Sequence, residues 1–99
     1  MSNEPENSED WFTSPLRTII KEPRFEQQLR GLALTHKRIE EVAAGFEYSL
    51  AKHPELFEKV PDSPYSVVRT NVYTKAPQLR IFFTYTATEV RLVAVEFAE

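Results

Sequence analysis

The sequence contains no cysteine and only two glycines among its 99 residues. Without cysteine there is no disulfide framework, thiolate metal site, iron–sulfur cluster or cysteine nucleophile, and the composition suits a reducing compartment. The P-loop and the dinucleotide-binding fingerprint each need several glycines within a few residues, so Gly31 and Gly45 cannot form either motif. We therefore expect a cytoplasmic protein without these two nucleotide-binding motifs.

Histidine is also scarce, since His36 and His53 are the two in the chain. Two imidazoles without the H-E-x-x-H spacing do not indicate a zinc site, so we expect no metal and no cofactor. No apolar run approaches the roughly 20 residues that span a bilayer, and the N-terminus is acidic where a signal peptide would be basic and then apolar. These features predict no contact with a membrane and no export by the usual route.

The residues that are present suit one compact domain, with 41% hydrophobic and 27% charged side chains. Residues 1–10 are polar and hold four of the 15 acidic side chains, so we predict a disordered acidic tail there and a single domain over residues 11–99. The formal charge of −3 then becomes about +1 for that domain, from 12 basic and 15 − 4 = 11 acidic residues. Six basic and two acidic residues lie in the segment 17–38, which permits an anionic partner.

Hydrophobic periodicity predicts the element order β-α-α-β-β-β. A strand over residues 16–20 precedes a helix that begins at Pro23, and a second helix begins at His36 and ends before Pro54. Its apolar stripe consists of Ile39, Val42, Ala43, Phe46 and Leu50. A proline-rich loop from Pro54 to Pro64 leads to three strand-like segments, 65–73, 79–86 and 90–97. We expect an α+β fold in which both helices pack on one face of a mostly antiparallel sheet.

The last two strands form a hairpin, because only a tight turn at residues 87–89 separates them. In the first of them, alternation places Arg80, Phe82 and Thr84 on one face. In the second, it places Val90, Leu92 and Ala94 on one face and Val93, Val95 and Phe97 on the other. Apolar residues on both faces predict a central strand.

This order of elements resembles the RelE/ParE toxin superfamily of bacterial and archaeal type II toxin–antitoxin modules. The stretches that carry the resemblance are RTIIKEPRFEQQLRGL, KRIEEVAAGFEYSLAKHPEL, and YSVVRT followed by LRIFFTYTATEVRLVAVE. The resemblance implies a toxin-like protein, with an antitoxin, the ribosome or messenger RNA as its partners. Members similar to RelE cut messenger RNA on the ribosome, whereas members similar to ParE poison DNA gyrase.

The resemblance also implies site residues. Arg80 lies where the family has its strand-leading arginine, and Arg69 lies on the preceding strand, so both are catalytic candidates that would stabilise charge on a pentacovalent phosphate. Lys75, in the turn between these strands, is a candidate nucleic-acid contact. Phe82 beside Arg80 is a candidate partner-binding residue, since an antitoxin in this superfamily covers apolar surface of the toxin.

An alternative follows from the last residues of the sequence. RNA-cleaving members usually continue with basic residues and a residue for proton transfer, whereas Glu96 and Glu99 stand here and would repel an RNA backbone. The alternative function is a catalytically degenerate binding protein of the same fold, whose partner is an antitoxin, gyrase or a second copy in a homodimer. For Arg80 itself, an ordinary strand arginine stacked on Phe82 is the simpler interpretation.

Overall fold

The computed structural model describes residues 16–70 and 78–98. Its elements are β1 (Thr18–Lys21), α1 (Pro23–Ala33), α2 (Ile39–Gly45), α3 (Glu47–Lys52), a 3-10 turn (Pro54–Leu56), β2 (Glu58–Lys59), β3 (Ser66–Arg69), β4 (Leu79–Tyr85) and β5 (Glu89–Phe97). The sheet has the order β1-β5-β4-β3-β2, with β1 and β5 parallel and every other pair antiparallel. The predicted α+β class and mostly antiparallel sheet are confirmed. The predicted tail, residues 1–10, and Lys75 lie outside the described residues.

The core lies between the helices and one face of the sheet. Leu79, Ile81 and Phe83 alternate along β4 and are 0% exposed, whereas the residues between them are partly exposed. They join a cluster to which the helices contribute Phe25, Ile39, Ala43 and Leu50, and the other strands Val68, Val90, Leu92 and Val95. We call the sheet face that is turned away from this cluster the outer face. Arg80, Phe82 and Thr84 point to it, as the alternation predicted.

The predicted second helix is divided into α2 and α3 at Phe46. Phe46 has φ −93° and ψ −7°, and its amide bonds to the carbonyl of Ala43, three residues back, at 3.1 Å. Gly45 precedes this break, and glycine is a poor helix former. The predicted stripe is nevertheless correct, because Ile39, Ala43 and Leu50 are buried while Val42 and Phe46 pack against the core.

The predicted alternation in the last strand is wrong beyond Leu92. Phe82 pairs with Ala94 while Phe83 pairs with Leu92, so Val93 is an extra residue in a β-bulge. Beyond the bulge the alternation is reversed, and Val95 is buried on the helix side while Ala94 lies opposite Phe82. The strand is central, as predicted, between β1 and β4.

The predicted loop from Pro54 to Pro64 contains one short strand. β2 pairs with β3 through Glu58 and Lys59, and the amide of Val60 donates to the carbonyl of Tyr65 at 2.9 Å. Asp62 turns the chain with a φ of 60°. Two residues are too few to show a period of two in the sequence, so the strand had no hydrophobic signal.

Arg17 links three elements at one end of the fold. Its Nε donates to the carbonyl of Thr86 in the β4–β5 turn at 2.7 Å, and its Nη1 donates to the carbonyl of Lys52 at the end of α3 at 3.3 Å. Its guanidinium lies 5.9 Å from the centre of the Tyr85 ring. A cation suits this place, because the carbonyls at a helix C-terminus carry partial negative charge.

Replacing Leu50 in α3 tests the position of the core. Leu50 is fully buried, so Leu50→Ala should lower the free energy of unfolding by about 2–5 kcal/mol through lost apolar burial and a cavity. The neighbouring Ser49 is exposed, so Ser49→Ala should change it by less than about 0.5 kcal/mol. Urea unfolding measures both free energies. Equal losses for the two variants would contradict the burial of Leu50 and the exposure of Ser49.

Candidate functional site

The structure brings three of the four candidate residues together on the outer face. Arg69 and Arg80 are register partners on β3 and β4, so their side chains leave the sheet on the same side. Phe82 follows two residues along β4, on the same face. All three line a depression of about 390 Å³ whose other lining residues are Glu58, Lys59, Val60, Pro61, Val67 and Glu96. We call it the arginine depression.

Arg80 does not point freely into the solvent. Its Nη2 lies 2.7 Å from Oε2 of Glu96 and its Nε donates to the same oxygen at 2.9 Å. Glu96 is the register partner of Arg80 on β5, so the sheet itself brings the two side chains together. The Arg80 side chain is 31% exposed and that of Glu96 is 52% exposed. The guanidinium charge is therefore compensated within the chain.

Arg69 has a carboxylate partner of its own. Its Nε lies 3.7 Å from Oε1 of Glu58 on β2, a looser contact than that of Arg80. The four side chains follow one another across the outer face in the order Glu58, Arg69, Arg80, Glu96. Two cations with an anion at each end give this row a formal charge of zero.

An apolar row runs beside the charged one. Val67, Phe82 and Ala94 are paired across β3, β4 and β5, and Val67 is only 5% exposed although it lies on the outer face. A second depression of about 250 Å³ lies beyond Phe82, and it is lined by Arg24, Gln28, Tyr65, Phe82, Val93, Ala94, Val95 and Glu96. Phe82 and Glu96 belong to both depressions. Phe82 is thus the apolar centre of the outer face.

Sequence reasoning missed Gln28 and Glu58 at this site. Gln28 on α1 accepts a hydrogen bond from the amide of Val95 at 2.9 Å, so the helix closes the part of the β5 edge that lies beyond β1. A polar side chain on an amphipathic helix gives no sign of such a contact. Glu58 lay in the segment assigned to a loop, so its approach to Arg69 could not be inferred. The sequence showed that Glu96 stands where RNA-cleaving members of the family have basic residues, but it did not predict the ion pair between Glu96 and Arg80.

The chemistry available at the arginine depression is that of two guanidinium groups and two carboxylates. The guanidinium groups can bind an anionic oxygen, and a carboxylate can accept a proton. Neither of the two depressions has a histidine among its described lining residues. Within residues 16–70 and 78–98, no cluster of three or more histidine, aspartate and glutamate side chains could hold a metal ion.

The pKa of the Glu55 carboxyl is lowered, first by a hydrogen bond from its own backbone amide and next by His53, whose Nδ1 lies 3.4 Å from Oε2. The carboxylate form is the one that accepts these bonds, so they favour its ionisation. Glu55 belongs to the 3-10 turn before β2 and lines neither depression.

The basic segment 17–38 does not gather on one surface. Arg17 binds backbone carbonyls at the end of α3, and Nζ of Lys21 lies 3.0 Å from Oε2 of Glu47. Arg38 pairs with Glu41 at 3.4 Å. Arg24 alone of the six lines one of the two depressions on the outer face. Three of the six basic side chains, Arg17, Lys21 and Arg38, are thus engaged in separate contacts within the chain.

Comparison with known protein families, curated proteins and solved structures finds no match to this chain. In the part of the chain that the structure describes, no helix has both the length and the apolar character needed to cross a membrane. The RelE/ParE resemblance stays a prediction.

A double-mutant cycle tests the difference between the two arginine pairs. The Arg80–Glu96 coupling should lie near the upper end of the range of about 0.2–1 kcal/mol for partly exposed pairs, because two nitrogens share one carboxylate oxygen. The coupling for Arg69→Gln with Glu58→Gln should be smaller at its 3.7 Å separation. Unfolding at low and high salt measures both, and equal couplings would contradict the geometry.

Proposed function

We propose that this chain is a toxin-like protein of the RelE/ParE type that acts by binding another protein through its outer face and has lost RNA cleavage. The toxin-like part rests on the sequence resemblance, and the observation that supports binding over RNA cleavage is the Arg80–Glu96 ion pair at 2.7 Å. A ribonuclease of the RelE type needs its strand arginine to meet a phosphate. Here the Glu96 carboxylate is already paired with Arg80. If a phosphate took its place at the guanidinium, the carboxylate would still lie beside that phosphate and repel it.

The apolar row supports a protein partner. Phe82, Val67 and Ala94 are adjacent across three strands and have a depression on each side, so a segment that crosses the strands could place apolar side chains on both sides of the Phe82 ring. Aromatic anchors within a polar rim are typical of protein interfaces. The charged row of zero net charge suits a protein partner, since it neither attracts nor repels one strongly.

A second candidate function is that of an mRNA endoribonuclease, which the pairing of Arg69 with Arg80 favours. Two guanidinium groups on neighbouring strands can contact two oxygens of one phosphate, and Glu58 or Glu96 can take the proton of a 2′-hydroxyl as general base. The 2′-oxygen would bond to phosphorus as the bond between phosphorus and the 5′-oxygen breaks, and the departing 5′-oxygen would take its proton from water. Two guanidinium groups and two carboxylates line the arginine depression. The carboxylates that would serve as base are the same ones that neutralise the arginines.

Variants of β4 test the binding proposal. A tagged chain crosslinked in its own host should enrich a protein partner, and Phe82→Ala and Arg80→Ala should each lower the recovered amount about fivefold or more, as expected for residues at the centre of an interface. Thr84→Ala is the matched control, because Thr84 lies on the same strand and face and lines neither depression. Mass spectrometry measures the recovery. Equal recovery by all four chains would contradict binding at this face.

Expression tests the ribonuclease candidate. If it holds, the wild-type chain arrests growth and leaves cuts in translated messages, and Arg80→Ala reduces cutting on the order of a hundredfold by removing one phosphate donor. Arg91→Ala is the control, since Arg91 lies on β5 and is paired with Glu22 and Glu89. Sequencing of RNA ends measures the cuts. Under the binding proposal, we expect no cuts from the wild type, Arg80→Ala or Arg91→Ala. If the wild type and Arg91→Ala cut RNA and Arg80→Ala does not, the ribonuclease candidate replaces the binding proposal.

A further inference from the structure

β1 forms one edge of the sheet, and its backbone shows which groups face outward. The amide of Thr18 donates to the carbonyl of Thr88 at 2.9 Å and that of Glu22 to the carbonyl of Leu92 at 3.0 Å, so the even-numbered residues bond toward β5. By alternation, the N–H and C=O groups of Ile19 and Lys21 point away from the sheet. Among residues 16–70 and 78–98, neither amide makes a backbone hydrogen bond outside the strand ladder.

This edge differs from the one at β2. β2 is two residues long and leads into Pro61 and a turn at Asp62, features that discourage pairing with another strand. β1 is four residues long and contains no proline. Leu16, just before β1, is 49% exposed, and Tyr48 on the adjacent α3 is 61% exposed. The β1 edge thus offers both backbone hydrogen bonds and apolar surface.

We propose that two copies of this chain pair through their β1 edges, antiparallel about a two-fold axis at Ile20, so that their two five-stranded sheets become continuous. In this register Ile19 of each copy lies opposite Lys21 of the other. The two outward-facing residues of each strand then form two hydrogen-bonded pairs, with four backbone bonds in all. The two Ile20 residues meet between them as a pair that is not hydrogen-bonded, where side chains come closest.

The charges along β1 favour the register with the axis at Ile20 over the registers with the axis at Ile19 or Lys21. With Ile20 on the axis, each Lys21 faces an isoleucine and each Thr18 faces Glu22 of the other copy. An axis at Ile19 would bring Lys21 opposite Arg17, and an axis at Lys21 would bring two lysines together. Like charges directly opposite each other destabilise a strand pair. The edge is therefore self-complementary in one register.

The residues that flank β1 limit the backbone pairing between the two copies to Ile19 and Lys21. With Ile20 on the axis, Arg17 faces Pro23 of the second copy. The amide of Arg17 is already bonded to the carbonyl of Ala51 at 3.1 Å, and Pro23 has no amide to donate. Neither residue needs a partner, so the pairing ends with Ile19 and Lys21. Such a short interface gives a dimer that forms only as the protein concentration rises.

This inference does not depend on the proposed function. Arg80 and Phe82 lie on β4, and β5 separates that strand from β1. Pairing of the β1 edges therefore leaves the arginine depression open, since none of its lining residues belongs to β1 or its flanks. A dimer and a partner bound at Phe82 can coexist, and the failure of one proposal leaves the other standing.

Opposite charges at the axis provide the test. Ile20→Lys and Ile20→Glu should each weaken self-association about fivefold or more, because each places like charges face to face. An equimolar mixture of the two variants should associate again, since lysine then faces glutamate. Thr84→Lys and Thr84→Glu are controls for added charge and should dimerise like the wild type. Sedimentation velocity over a range of concentrations measures association, and thermal unfolding shows that each variant is folded.

Hydrogen exchange of the unaltered chain gives a second measurement. The amides of Ile19 and Lys21 should become protected as the protein concentration rises, while those of Thr18 and Ile20 should be protected throughout by β5. A monomer at all concentrations would overturn the proposal. A dimer that neither protects Ile19 and Lys21 nor responds to charge at Ile20 would overturn it as well.

Discussion

The structure depends on the burial of one face of a sheet, and the helices of residues 16–70 and 78–98 all pack on that face. Leu79, Ile81 and Phe83 are fully buried because α1, α2 and α3 all pack against that face. A strand has a period of two, so the residues between them must face the other way. Arg80 and Phe82 therefore come to the outer face as a consequence of the core, without any contact of their own being needed to hold them there.

The β-bulge at Val93 gives that outer face its charge. If the alternation of Val90 and Leu92 continued unbroken, Glu96 would point into the helix-covered core, where an unpaired carboxylate is very costly. The extra residue reverses the alternation, so Val95 enters the core and Glu96 meets Arg80. The amide of Val95 is turned toward Gln28 at the same place. One inserted residue thus completes the core, closes an edge and neutralises the arginine.

The sequence predicted those features that a repeated pattern carries. The stripe of α2 and α3 was correct because Ile39, Ala43 and Leu50 follow a helical period, and the faces of β4 were correct because seven residues show a clear period of two. The bulge was missed because a single extra residue leaves no local pattern. For the candidate site, the position of Arg80 was predictable from alternation, whereas its carboxylate partner depended on the bulge. Glu58 was missed because β2 is only two residues long.

The Arg80–Glu96 ion pair is the main reason for proposing a protein partner at the outer face. A partly exposed pair contributes about 1 kcal/mol or less, so an incoming anion could displace Glu96 from Arg80 at small cost. Displacement does not remove the carboxylate, however, because the β4–β5 register keeps Glu96 beside Arg80. A polyanion such as RNA would meet two carboxylates for the two arginines and would gain little from counterion release. An apolar segment would lose nothing to these carboxylates and would gain the surface around Phe82, and this difference is the reason for proposing a protein partner over nucleic acid.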